Sequence, residues 1–347
     1  MNRGVLFLCT GNACRSQMAE GLARRLLSPE IAVCSAGTSP AGLDPRAVNA
    51  VAELGIDIST HRSKPLSEVP LDRVDRVITL CDDARRACPS VPGRSQEHWP
   101  IADPASVRGT RDQLVSRVEA LAATVEVEPA LGVIGGSGSY ALPGLEGLRS
   151  VDVETPYGPP SGPLRVGRLG GGRVVFLARH GERHPLLPGE VDAWANIHAL
   201  ERLGVTRVVS VSAVGSLREE IAPVWRSWGT HVVGMTALPE ARLAREAELS
   251  YATLALPTDY GCWRTRDEEV RVADVLAGLS ANVERARRIL ASALAEIDPA
   301  APCACQRALD TALRTPPDTV DGTSRVRLHP LLVRRLRGSV SAQGVTS

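Results

Sequence analysis

Cys9-Thr10-Gly11-Asn12-Ala13-Cys14-Arg15-Ser16 decides the reading of the first third of this chain, because an apolar run, residues 5–9, leads into it and a helical period, residues 16–27, leads out. A turn placed between a buried strand and a helix brings successive backbone N–H groups toward one point, and such an amide nest holds a tetrahedral oxyanion. Arg15 adds a planar, permanently charged fork for two of the anion's oxygens, and its field favours the thiolate of Cys9, the nucleophilic form. Thr10, Gly11, Asn12, Ala13, Cys14 and Ser16 are expected to line the anion, with Asn12 bracing the loop through its side chain and Ser16 stabilising the sulfur. Cys14 itself supplies only an amide, and Cys34 alternates with apolar neighbours as a core strand residue does.

Outward from the loop, apolar runs at residues 31–35 and 77–81 alternate with helical stretches at 45–54 and 111–123. That alternation predicts a small parallel sheet covered by helices. The helical period fades through residues 124–129 and a new strand begins at 131–134. The expected boundaries are a first domain over 1–124, a linker over 125–130, a second domain over 131–337 and a frayed polar tail over 338–347. Within the second domain a hairpin is expected from residues 164–169 and 173–178 across Gly170–Gly172. Further strands are expected at 208–212, 231–233 and 253–256, and helices at 191–203 and 268–295, so this domain also reads as α/β.

Composition narrows the chemistry. Of 347 residues 44% are apolar, enough for two folded domains, and 40 basic against 39 acidic residues leave no positive excess for nucleic acid or a membrane surface. Small-molecule chemistry is the default. The opening apolar run is too short for a secretory signal and nowhere do eighteen apolar residues follow one another, so a cytoplasmic protein is expected. In that compartment eight cysteines argue for catalysis, metal or redox exchange rather than a disulfide framework. His61, His98 and His198 show no metal-ligand spacing, so no metal and no bound cofactor are expected.

The loop resembles that of the low-molecular-weight tyrosine phosphatases and of the arsenate reductases that share their fold, over residues 1–124. Cys81 and Cys88, bracketing a charged stretch, together with Glu97-His98-Trp99 and Asp103-Pro104-Ala105, resemble the thioredoxin-coupled arsenate reductases; a phosphatase of this fold typically has an aromatic residue where Ala105 stands. The resemblance implies that Cys9 attacks arsenate while Asp103 protonates the leaving oxygen. Cys81 then attacks Cys9, releasing arsenite, and Cys88 displaces Cys9 to leave a Cys81–Cys88 disulfide for thioredoxin, the external reductant. Seven residues of helix span about 10.5 Å, whereas a disulfide tolerates about 4.4 to 6.8 Å between α-carbons, so a helix between Cys81 and Cys88 must unwind. A protein tyrosine phosphatase is the alternative reading.

In the second domain, Val133-Ile134-Gly135-Gly136-Ser137-Gly138, Arg179-His180-Gly181, Ser210-Val211-Ser212-Ala213, Gly234–Ala241 and Thr258-Asp259-Tyr260 together resemble the methylthioadenosine phosphorylases of the purine nucleoside phosphorylase superfamily. The resemblance implies phosphate binding by Ser137, Arg179, His180, Ser212 and Ala213, and base binding by Asp259. Two departures stand out. Gly261 replaces the family's second acidic residue, and Pro223 runs straight into Val224 where relatives carry a long stretch with the sugar contacts. The fold is thus expected to be an incomplete nucleoside-phosphorylase-like α/β domain with weak or no phosphorolysis. Alternatives are an active phosphorylase in purine salvage, or a non-catalytic module that binds phosphate or purine or drives homo-oligomerisation. Cys303 and Cys305 are expected at a solvated helix entry. The Arg-rich stretch 325–337 is expected to pack on the second domain, with an amphipathic helix starting near Pro330.

Overall fold

A computed structural model describes residues 4–87, 94–101, 106–125, 127–136, 144–214, 227, 232, 234–258, 272–312, 316 and 319–328, with backbone alone at 272–276. The chain divides into two compact units: Met1–Val127 with Arg314–Ser347, and Glu128–Leu313.

The first unit is built on four parallel strands in the order β2-β1-β3-β4, where β1 is Gly4–Cys9, β2 Ala32–Gly37, β3 Arg76–Thr79 and β4 Ser95–His98. Its helices are α1 Arg15–Leu26, α2 Pro45–Ala52, α3 Asp82–Ala87 and α4 Val107–Thr124. Central strand β1 is buried throughout, and its pleat sends alternate side chains to opposite faces. Val5, Phe7 and Cys9 join the larger core with Met18 and Leu22 of α1 and Leu114 and Val118 of α4. Leu6 and Leu8 join Val69, Val74 and Val77 on the other face. The sulfur of Cys9 therefore emerges on the side that α1 covers. Asp44 caps α2 and Ser106 caps α4, each accepting an orphan backbone N–H. Edge strand β4, Ser-Gln-Glu-His, has no apolar alternation and was not anticipated.

The C-terminal Arg-rich stretch corrects an expectation. Residues 322–328 are helical and pack on the first unit, not the second. Arg325 pairs with Glu119 at 2.6 Å, and Val326, 4% exposed, completes the first unit's core. The cause is the Glu119 carboxylate on α4, 3% exposed, which needs a cation once removed from water. The expected second domain over 131–337 accordingly stops at Leu313. Pro330 and the residues after it lie outside the described residues, as does the expected strand at 231–233.

The second unit carries a six-stranded sheet in the order β10-β9-β5-β8-β7-β6. Its strands are β5 Ala130–Gly135, β6 Glu146–Val151, β7 Leu164–Leu169, β8 Gly172–Ala178, β9 Val205–Val214 and β10 Ser250–Pro257. Strands β8, β5, β9 and β10 run parallel; at one edge β7 runs antiparallel to β8, and β6 antiparallel to β7. The expected hairpin is present, with Gly172 inside β8 and a two-residue turn at Gly170 and Gly171. Both turn residues have positive φ, 58° and 84°, which the tight right-twisting hairpin turn demands and glycine supplies. Helices α5 Ala193–Arg202 and α6 Ala237–Glu246 cover one face through Ile197, Leu200, Leu243 and Ala244. Helix α7, Val272–Glu296, covers the other through Val283, Ala286, Leu290 and Leu294. No helix among the described residues is long and apolar enough to cross a membrane.

Candidate functional site

The loop after β1 turns its carbonyls into the protein. Thr10 O accepts from Ser39 N–H at 2.9 Å, Gly11 O from Ala41 N–H and the Ser63 hydroxyl at 2.9 Å each, and Ala13 O from Asp44 N–H at 3.0 Å. Peptide planes held this way have the orientation an amide nest needs. At the base lies Cys9, 3% exposed, whose sulfur accepts from Asn12 N–H at 3.2 Å and lies 2.9 Å from Ser16 Oγ.

Asn12 holds the loop. Its φ of 45° is the left-handed conformation, which asparagine tolerates better than most residues. Its amide donates to Ser16 Oγ at 2.8 Å and Ser35 Oγ at 2.9 Å, and its Oδ1 accepts from Lys64 N–H at 2.9 Å and Gln17 Nε2 at 3.1 Å. Ser35 in turn donates to buried Glu20, whose carboxylate also lies 3.6 Å from Lys64 Nζ. Gln17 meets His61 Nδ1 at 3.0 Å, and burial holds the His61 pKa below its usual value. Gly37 ends β2 against the loop: a β-carbon there would come within 2.7 Å of Thr10 O and 2.9 Å of Asn12 N. Ser35, Gly37, Gln17, Glu20, Lys64 and His61 were not anticipated. The glycine ending the strand that runs beside Cys9 was the one readable signal.

Arg15 opens α1 and its Nη1 donates to Ile101 O at 2.8 Å. Cys14 and Cys34 stand apart chemically, since burial pushes each thiol up to about 11 and keeps it protonated at neutral pH. Cys81 stands at the rim: its sulfur lies 3.4 Å from Thr10 Oγ1, and its carbonyl accepts from Arg85 N–H at 3.0 Å in the first turn of α3. Cys88 and Asp103 lie outside the described residues.

In the second unit, three parallel strands turn their carboxyl ends to one edge, β5 and β8 ending level and β9 running on to Val214. Register pairs Gly135 of β5 with Ala178 of β8, and Ile134 of β5 with Ser210 of β9. Arg179, His180, Ser212 and Ala213 therefore gather at the carboxyl edge of the sheet, the usual place for a ligand in such folds. Ser137, Asp259 and Gly261 lie outside the described residues. Arg179 does not present its guanidinium to an open anion site. It pairs with Glu240 of α6 through both Nε and Nη2, and it donates to Ser210 Oγ and Val211 O. Its side chain is 2% exposed. Burial explains the difference from expectation: a guanidinium beneath the strand ends must be matched inside the protein, and Glu240 does this. His180 Nδ1 lies 3.0 Å from Leu186 O, and burial holds its pKa below the usual histidine value. Ser212 Oγ faces Thr236 Oγ1 at 3.4 Å, and Ala213 is exposed. Among the described residues no group of three or more His, Cys, Asp or Glu is arranged to hold a metal ion.

Residues 4–129 match the family model of low molecular weight phosphotyrosine protein phosphatases, and residues 130–224 and 218–295 match the phosphorylase superfamily in two pieces. The S-methyl-5'-thioadenosine phosphorylase of Geobacter sulfurreducens is 35% identical over 278 residues, which is 58% of this chain and 97% of that protein. The chain belongs to the S-methyl-5'-thioadenosine phosphorylase family. The family member from Chloroflexus aurantiacus is 36% identical over 280 residues, 59% of this chain and 97% of its own length. A solved methylthioadenosine phosphorylase from an Antarctic soil metagenomic library is 32% identical with a TM-score of 0.52, covering 59% of this chain and 99% of that one. This S-methyl-5'-thioadenosine phosphorylase family chain thus adds a phosphatase-like domain ahead of the phosphorylase one. It also lacks part of the latter. The Geobacter alignment spans 278 positions but takes up 58% of the chain, about 201 residues, so about 77 positions of the relative have no counterpart here. The two-piece match, meeting at 218–224, puts the junction beside Pro223.

Proposed function

We propose that the first unit reduces arsenate to arsenite by a three-cysteine relay, regenerated by an external dithiol protein of the thioredoxin type. The observation that carries this reading is the second thiol at the mouth of the loop, Cys81 Sγ at 3.4 Å from Thr10 Oγ1. Hydrolysis of a phosphate ester has no use for it, whereas reduction needs a thiol that can reach a sulfur–arsenic bond.

The proposed sequence begins with Cys9 attacking pentavalent arsenic, an oxygen leaving as water after protonation by Asp103. Asp103 follows two residues after Ile101, whose carbonyl accepts from Arg15. Cys81 next attacks Cys9 sulfur; two electrons pass to arsenic, which departs as arsenite, and a Cys9–Cys81 disulfide remains. Cys88 then attacks Cys81, freeing Cys9 and leaving Cys81–Cys88 for the reductant. No metal and no bound cofactor enter this scheme.

For the second unit the proposed role is binding of phosphate or a purine nucleoside, with phosphorolysis of methylthioadenosine weak or absent. The support is the gap beside Pro223, because the family resemblance assigns the sugar contacts to the stretch that is missing and positioning supplies much of such catalysis. Ser137, His180, Ser212 and Ala213 remain the proposed anion contacts and Asp259 the base contact, with Arg179 positioning the strand ends.

The test is arsenite formation by the purified chain with thioredoxin, its reductase and NADPH. Turnover is expected, abolished by Cys9→Ser and limited to at most one cycle by Cys81→Ser or Cys88→Ser. Aryl phosphate hydrolysis that survives Cys81→Ser and Cys88→Ser, with no arsenite formed, would overturn the reading in favour of a phosphatase. Adenine release from methylthioadenosine with phosphate or arsenate checks the second unit separately.

A further inference from the structure

Cys303 and Cys305 lie at the entry to a single helical turn, Ala304–Arg307, in the second unit and take no part in the proposed chemistry. Both are partly exposed and neither is in a disulfide. Their surroundings are built rather than incidental. The segment leading to them is clamped to the start of β9: Thr206 Oγ1 donates to Pro299 O at 2.6 Å, and Arg207 donates through Nε to Asp298 O at 3.1 Å and through Nη2 to Ala301 O. Cys303 N–H donates to Gln306 Oε1 at 3.2 Å, fixing the turn. Ser250, which opens β10, is the register partner of Arg207 on the adjacent strand. Its hydroxyl is buried without a hydrogen-bond partner, and the Cys303 sulfur accepts from Gln306 N–H within the turn. The polar surroundings, the Ser250 hydroxyl first and Cys305 next, bring the Cys303 thiol down to about 7, and the Arg207 charge adds to them.

Two partly exposed cysteines separated by a single residue, on a turn pinned to the start of β9, suit a soft acceptor that binds two thiols at once. A mutual disulfide closing so small a ring is strained. A tetrahedral metal needs four ligands, and among the described residues no third His, Cys, Asp or Glu joins the pair. Trivalent arsenic needs only two protein sulfurs, because it retains a hydroxyl as its third ligand.

We infer that Cys303 and Cys305 form a dithiol site for trivalent arsenic, taken up from arsenite. In that step two arsenic–oxygen bonds break and two arsenic–sulfur bonds form. Each thiol proton leaves with a hydroxyl as water, and arsenic stays trivalent throughout, so no oxidant or reductant is required. Arsenite as the natural occupant rests on the reading of the first unit, whose proposed product it is; the chelation itself does not, because arsenite is supplied directly in the test.

The full-length reduced protein is incubated with arsenite and then alkylated, and its cysteine peptides are weighed. Protection of Cys303 and Cys305 together, by at least tenfold over Cys34, is the expected result; equal labelling with and without arsenite overturns the site. A second measurement uses the full chain carrying Cys9→Ser, Cys81→Ser and Cys88→Ser, which removes the relay thiols and any turnover. Native mass spectrometry is expected to show one arsenic per chain, lost on adding Cys303→Ser or Cys305→Ser. Retention of arsenic in both of these variants overturns the assignment. Failure of arsenate reduction in the parent protein leaves these readouts unaffected, so the two proposals fall separately.

Discussion

Arg179 at the end of β8 and Glu240 on α6 form a buried ion pair, their side chains 2% and 4% exposed, with the Tyr251 hydroxyl donating to the same carboxylate at 3.0 Å. The pair joins a strand end to a helix on which the second unit's candidate anion edge depends. Removing one partner leaves an uncompensated charge in the interior, so Glu240→Ala is expected to destabilise this unit by about 3–5 kcal/mol. The double replacement Arg179→Met with Glu240→Leu is expected to cost less than Glu240→Ala alone. Urea unfolding followed by a probe in the second unit measures both, and a Glu240→Ala variant as stable as the parent would refute the account.

Asn12 makes four side-chain hydrogen bonds while holding a positive φ. Asn12→Ala loses the bonds and puts a β-carbon into the left-handed region, which together amount to about 2–4 kcal/mol. Asn12→Gly loses the bonds alone and is expected to recover about 1 kcal/mol of that. Chemical denaturation of the two variants separates the contributions; equal stability would mean that the backbone conformation carries no strain.

Helix α3, Asp82–Ala87, fills the described residues that follow Cys81. About 10.5 Å of helix rise cannot be bridged by a disulfide. Oxidation through the proposed relay is therefore expected to unwind α3, and amide hydrogen exchange at Arg85, whose N–H bonds Cys81 O in the reduced form, is expected to speed up. Equal protection in reduced and oxidised protein would remove the unwinding step.

His61 is held below its usual value of 6.5 chiefly by burial, so the unfolded chain takes up the proton more readily than the folded one. The associated stability is fully present above about pH 6.5 and is lost as pH falls toward the lower folded value. Unfolding midpoints of the first unit measured from pH 7.5 to pH 5 are expected to decline, and the decline is expected to be shallower in His61→Gln. An unchanged slope in that variant would assign the pH dependence to another group.

Much of this was legible along the chain because it depends on local order. The Cys9–Ser16 loop sits between a fully buried strand and a helix in the structure as in the sequence, and the Gly170-Gly171 turn follows from the positive φ that only such residues adopt readily. Edge strand β4 was not legible, because Ser-Gln-Glu-His has no apolar face and is held only by its register with β3.

The chain's own order of residues determined the candidate nucleophile, the loop that follows it, the strand–helix alternation of both units and the loss of a central stretch beside Pro223, since each is written in neighbouring positions. Tertiary structure alone decided three pairings across long separations: Cys81 with Thr10, Arg179 with Glu240, and Arg325 with Glu119, which draws the C-terminal helix onto the first unit. A buried charge takes whatever opposite charge the fold brings within reach, and the residue spacing of the chain carries no record of that choice.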